Sequence, residues 1–256
     1  MPLLDGRKAV VFGVANDHSI AWAIARALRG AGAEVALTYP NEAIEKRVRP
    51  LAESLGASLV VECDVTRDDH IEATFAALRQ SWGGLDILIH AVAFAGRDEL
   101  KGRFMDTSRA GFNLALEVSA YSLVALARAA APLLEGHGGS ILTVTYLGAQ
   151  YVAPNYNVMG VAKAALESCV RYLAADLGPQ GVRVNAISAG PIRTLSAAGI
   201  SGFREMLHHH AESAPLRRNV SAEEVAGTAL YLCSSLASAV TGEVIYADAG
   251  YNIVGM

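Results

Sequence analysis

Residues 8–39 read KAVVFGVANDHSIAWAIARALRGAGAEVALTY. The opening run, Lys8–Gly13, is apolar, rich in β-branched residues and ends in glycine. That pattern predicts a buried strand entering a tight turn. Ser19 stands where a helix cap is wanted, and Ser19–Ala31 carries apolar residues at helical spacing. Glu34–Tyr39 alternates and reads as a second strand. Strand, turn, helix and strand in this order make a βαβ unit, whose two strands are parallel.

The alternation continues outward. Helices are predicted over Asn41–Leu55, Arg67–Trp82, about Thr107–Leu134, Tyr156–Leu177 and Ser221–Leu236, the last opened by the capping signature SAEE. Strands are predicted over Ser58–Cys63, Leu85–His90, Ser140–Thr145, Arg183–Ser188 and Glu243–Ala247. The strands are near-continuous apolar runs, as expected of a parallel sheet covered on both faces. The fold class is therefore α/β: a Rossmann-type, doubly wound parallel sheet of about seven strands with helices on both faces. No repeat or linker divides the chain, so residues 1–256 form one domain. Residues 191–216 break the alternation and would lie above the crevice at the strands' carboxyl ends, as a small helical substrate lid.

Composition narrows the function classes. Of 256 residues, 52% are hydrophobic and 18% charged, which excludes a disordered chain. The formal net charge is −4 with no basic run, so no nucleic-acid partner is expected. Cys63, Cys169 and Cys233 are widely spaced and read as reduced thiols. The opening MPLLDGRKAVVFG lacks the basic and long apolar regions of a signal peptide. The most apolar stretch, Val118–Ala127, is too short to span a bilayer. A cytoplasmic protein without membrane insertion is expected.

The turn after the first strand suits a pyrophosphate, because first-turn helix N–H groups and the helix dipole favour anions there. Gly13, Ser19 and Ile20 would form that site. Only one glycine of the usual three-glycine fingerprint is present, and Ser19 takes the place of another. After the second strand comes Thr38-Tyr39-Pro40-Asn41, with neither a ribose-binding acid nor a cation for a 2′-phosphate. NADH is expected over NADPH. Asp64 and Val65, at the end of the third strand, would meet the adenine, or Asp64 would cap the next turn.

The chemistry is carried by residues 146–163, YLGAQYVAPNYNVMGVAK. Tyr156 and Lys163 are seven apart, which on one helix returns to nearly the same face. Tyr146 leaves the fifth strand toward the same crevice. A phenol can donate to a developing oxyanion, and an ammonium nearby favours that charge.

This segment resembles the short-chain dehydrogenase/reductase superfamily, which usually spaces its pair Tyr-x3-Lys. The Tyr-x6-Lys spacing, the string YNVMGVAKAALE, the Gly13-x5-Ser19-Ile20-Ala21 turn, GVRVNAISAGPIRTLSAAGI (181–200) and PLRRNVSAEEV (215–225) resemble its divergent branch, the type I enoyl-acyl-carrier-protein reductases. The similarity covers almost the whole chain. It implies NADH-dependent reduction of the trans-2 double bond of an enoyl thioester on acyl carrier protein, within fatty-acid elongation. It implies Tyr156 as oxyanion donor, Lys163 as ribose contact and Tyr146 as a second catalytic, substrate-side residue. Val92, Ile192, Leu195 and Ser196 would line the nicotinamide. Ala95, Met159, Phe203 and Met206 would join Tyr146 and Tyr156 against the substrate. The family is typically a homotetramer, with the helices at about 107–134 and 156–177 between subunits.

Two departures from the family stand out. Ala91 and Ala93 occur where Ser and Gly are commoner, so that the Ala93 methyl crowds the nicotinamide side. Ala249 occurs where the superfamily favours Gly. His208-His209-His210 offers no helical chelation, since adjacent side chains diverge, and no metal is expected. Other readings of the chain are a carbonyl reductase or alcohol dehydrogenase of the same superfamily, and a non-catalytic dinucleotide sensor.

Overall fold

The computed structural model describes residues 2–136, 138–195, 197–199 and 201–254. Its strands are β1 (Lys8–Phe12), β2 (Glu34–Tyr39), β3 (Leu59–Glu62), β4 (Ile87–His90), β5 (Ser140–Thr145), β6 (Arg183–Ala189) and β7 (Val244–Ala247). They form one seven-stranded sheet in the order β3-β2-β1-β4-β5-β6-β7, every pairing parallel. The helices among the described residues are α1 (Ile20–Gly30), α2 (Glu42–Leu55), α3 (Asp68–Trp82), α4 (Arg109–Leu116), α5 (Ser122–Leu134), α6 (Val158–Leu177), α7 (Phe203–Ser213) and α8 (Ala222–Cys233).

Alternation along β1 shows why the strands are apolar throughout. Val10 and Phe12 enter one core, with Leu78 of α3, Leu126 of α5 and Leu166 of α6. Ala9 and Val11 enter the other, with Ile24 of α1, Val48 of α2 and Val225 of α8. Successive side chains of a strand point to opposite faces, so each strand needs two apolar sets. The chain winds from β1 outward to β3, then returns to place β4 on the other side of β1. A crevice opens at that reversal, at the strands' carboxyl ends.

Four local expectations are revised. Ser19 does not cap α1; its Oγ accepts the N–H groups of Ala15 and Asn16, each at 3.1 Å, and ties down the turn instead. Tyr156 lies ahead of α6 rather than on it, because Asn155 (φ 59°) and Asn157 (φ 41°) take left-handed backbone that no α-helix accepts. The long helix at 107–134 divides, with a π turn at Glu117–Tyr121 joining α4 to α5. That run, Arg109–Leu134, is after all long and apolar enough to cross a membrane; 56% of its most apolar window is buried within the fold, as in a core helix. Asn41 does cap α2, accepting from Ile44 N at 3.2 Å, and Ser221 and Glu224 form a reciprocal capping box on α8. Residues 191–216 contain a short 3-10 turn, Ala197–Gly199, and α7.

Candidate active site

The turn between β1 and α1 depends on Gly13. Its φ is +106°, and a Cβ there would stand 2.2 Å from the Ala91 carbonyl oxygen at the end of β4. Glycine thus lets two strand ends close beside an elongated cavity of about 630 Å³. Gly13, Ser19, Ile20, Asp64, Val65, Val92, Lys163 and Leu195 all line it. Residues 19–21 bring the start of α1 to its wall, where helix N–H groups lack intrahelical partners. Asp64 ties down the next turn, its Oδ1 accepting from Thr66 N (3.0 Å) and Thr66 Oγ1 (2.8 Å), and the residue also borders the cavity. Lys163 is the sole cation among the lining residues. A long cavity joining a helix start to an apolar far end fits a dinucleotide with no extra phosphate.

A second cavity of about 570 Å³ adjoins the first. Ala95, Tyr146, Tyr156, Met159, Ile192, Phe203 and Met206 line it. Ile192 therefore faces this chamber and not the first one. Val144, Lys163, Thr194 and Leu195 belong to both walls. Ser196 lies outside the described residues.

Tyr156 is 8% exposed, and its ring meets Tyr146 edge-on, centroids 5.0 Å apart. Room for that ring comes from Gly148, where a Cβ would stand 2.6 Å from Tyr156 Cδ1. Burial pushes both phenols up, Tyr146 to about 12 and Tyr156 further, so both keep their protons at neutral pH and can donate. Tyr146 OH reaches Met206 Sδ of α7 at 3.4 Å, joining the strand end to that helix. Lys163 Nζ donates to the Val144 carbonyl at 2.8 Å. Burial pushes its ammonium down to about 8, against the opposing pull of Glu167.

Behind Lys163, His90 is fully buried between Thr143 Oγ1 and Ser122 Oγ, each at 2.8 Å. Burial and the charge of Lys163 push it down to about 3, so it is a neutral strut. His208 and His209 are exposed, while His210 packs on Tyr251 with ring centroids 4.6 Å apart. Arg218 pairs with Glu224 at 2.6 Å. Among the described residues no group of three His, Cys, Asp or Glu is placed to hold a metal.

Sequence reasoning missed Phe94, Val118 and Val144 as wall residues, and Gly148 as the floor under Tyr156. Phe94 and Val144 follow from counting to the carboxyl ends of adjacent parallel strands. Nothing local marks Val118, which the π turn delivers.

The arrangement can hold a dinucleotide against an apolar chamber, with two phenols on the chamber wall and one ammonium at the junction. Comparison with known proteins agrees. A family profile described as Enoyl-(Acyl carrier protein) reductase matches residues 13–252. The chain is 56% identical over 254 residues to "Enoyl-[acyl-carrier-protein] reductase [NADH] 1" of Rhizobium meliloti (strain 1021), covering 99% of this chain and 93% of that one. The Bacillus cereus enoyl-acyl carrier protein reductase, solved with NADP+ and indole naphthyridinone, superposes with a TM-score of 0.98 at 55% identity, over 100% of both chains. The Anaplasma phagocytophilum enzyme, solved with NAD, gives 0.95 at 52% identity, over 99% of this chain and 97% of that one.

Proposed function

The chain belongs to the enoyl-(acyl carrier protein) reductase family, and from that premise we propose that it reduces the trans-2 double bond of an enoyl thioester on acyl carrier protein, with NADH as coenzyme. The observation that carries this reading is the second cavity, whose wall holds Tyr146 and Tyr156 together with Lys163, a residue that also borders the first cavity. NADH, when bound, supplies a hydride to the substrate's β-carbon. The chain's own residues handle the charge that results. The Tyr156 phenol donates to the thioester oxygen as it becomes an enolate; preorganised donors of this kind act most strongly where water is excluded. Lys163 holds the nicotinamide ribose and adds positive potential beside the phenol. Val92 and Leu195 frame the nicotinamide. Ala95, Met159, Phe203 and Met206 give the acyl chain an apolar wall, and residues 191–216 cover it as a lid. Tyr146 steadies Tyr156 edge-to-face and links it to that lid. The α-carbon takes its proton from solvent or a relay.

The scarcity of cations around the first cavity supports NADH over NADPH. We place the enzyme in the cytoplasm, where acyl carrier protein works. We also propose a homotetramer built through α4–α5 and α6. Leu114, Tyr121, Val161 and Tyr172 on those helices are large, apolar and exposed, which supports that assembly.

The test is steady-state turnover of crotonyl and acetoacetyl thioesters with NADH and NADPH. NADH is expected to be oxidised by the crotonyl compound and NADPH to serve poorly. Tyr156→Phe should lower kcat by about 100-fold or more while NADH still binds. NADH oxidation with the keto compound alone would make the protein a carbonyl reductase instead.

A further inference from the structure

The reaction leans on a positive charge at Lys163, yet that side chain is 6% exposed in an apolar setting. Burial disfavours the charged form of a lysine. The groups around it offer little help. From β4 comes His90, which is neutral. From the end of β5 and the turn before α6 come Tyr146 and Tyr156, both protonated. Its hydrogen-bond partner, Val144, contributes only a carbonyl.

One full anion lies close. Glu167 follows Lys163 by four residues on α6 and is also 6% exposed. Residues four apart share a helix face. Its Oε1 accepts from Thr145 Oγ1 at 2.9 Å, at the end of β5. Lys163 and Glu167 thus grip adjacent residues of one strand end, without sharing a hydrogen bond. Tyr246 of β7 also feels the Glu167 carboxylate's charge, as well as that of Asp248.

We propose that Glu167 is a positioning residue for the reduction: its buried carboxylate keeps Lys163 protonated and, through Thr145, fixes the strand end from which Tyr146 enters the chamber. This rests on the reading of Lys163 as the ribose contact. Thr145 and Glu167 belong to neither the phenol pair nor the coenzyme wall, so a packing role alone would leave the titration of Lys163 unmoved.

The direct readout is NMR on the coenzyme-free protein with ¹³C-labelled lysine, practical because the chain has four lysines, Lys8, Lys46, Lys101 and Lys163. In the parent, the Lys163 signal should titrate below the ordinary lysine range, where burial outweighs the opposing pull of Glu167. Glu167→Gln keeps an acceptor for Thr145 and deletes the charge. It should lower the Lys163 midpoint by about one pH unit. The pH at which NADH affinity and kcat/KM fall on the alkaline side should move down by the same amount, with activity recovering toward the parent's at lower pH. Thr145→Val keeps the charge and should leave the midpoint in place while lowering kcat. If the glutamine variant does not fold, Glu167→Met makes the same deletion with a side chain suited to a buried site. An unmoved Lys163 midpoint in a folded charge-deleted variant sinks the proposal. Because the titration needs no turnover, that result is distinct from a parent that fails to reduce enoyl thioesters, which would sink the functional reading instead.

Discussion

At Ala249 the backbone takes φ +60°, a conformation that costs an L-residue about 1–2 kcal/mol. The residue is buried, and its carbonyl accepts from Leu216 N at 3.2 Å, so the loop leaving the lid fixes the conformation in place. Glycine would adopt it freely but lose more chain entropy on folding. Ala249→Gly is therefore expected to stabilise the protein by about 0.5–1 kcal/mol, read as a raised urea midpoint with unchanged slope. A midpoint that stays or falls would mean the position stores no strain. The substitution pattern was visible in the sequence as an alanine where its superfamily favours glycine; the left-handed backbone supplies the reason. Gly148 is the converse case. Nothing in YLGAQ announces that its missing side chain is the space under Tyr156, because the ring arrives from eight residues further on.

Among the elements, β4, β5 and α5 meet at His90, whose ring bridges Thr143 and Ser122. The native state holds this ring neutral, with its proton affinity pushed down to about 3, whereas an unfolded histidine titrates near the ordinary 6.5. Between those values the unfolded chain binds more protons. The junction's contribution is thus whole above about pH 6.5 and lost as the pH falls toward 3, at a slope approaching 1.4 kcal/mol per pH unit. His90→Gln should be less stable at neutral pH yet show a flatter decline between pH 6.5 and 4.5, by about that slope. Urea midpoints across that range are the measurement, and parallel declines would refute the assignment. The elements themselves were legible because each strand must feed two cores and is therefore apolar at successive positions. The seven-residue spacing of Tyr156 and Lys163 picked out two residues that do line one cavity, but by the wrong geometry. The tyrosine belongs to a turn set by Asn155 and Asn157, and it reaches the crevice without the helical rotation that the spacing suggested.

For the whole molecule, the cavity walls were legible from chain order, since a parallel sheet with one reversal gathers its strand ends at one crevice. What stayed hidden was set by distant residues meeting: Val144 with Lys163, Thr145 with Glu167, Met206 with Tyr146. Surfaces are a different matter. The hydrophobic residues that make up 52% of the chain are not all spent on its cores, and Tyr121 and Tyr172 remain 49% and 74% exposed. Static light scattering should return about four times the chain mass of 26.8 kDa. A single-chain mass would show that these helix faces meet solvent rather than one another.

The wide turn at Glu117–Tyr121 fixes how many residues this stretch of chain can hold. Val118 borders the coenzyme cavity, Ser119 clasps the Phe94 amide at 3.0 Å, and Ser122 reaches His90. Excising one residue would let an ordinary helix run through with its flanks still in phase, because the wide turn spends one extra residue on a single turn, but the residues of the turn itself would lose their places. Ala115 and Leu123, both fully buried, would then be seven apart and still face inward together, whereas Val118 and Ser119 could not both keep their contacts. Losing a single codon here would leave the two helices aligned yet forfeit the wall and the clasp that the turn provides, and chimeras spliced here must carry over the length of the segment as well as its letters.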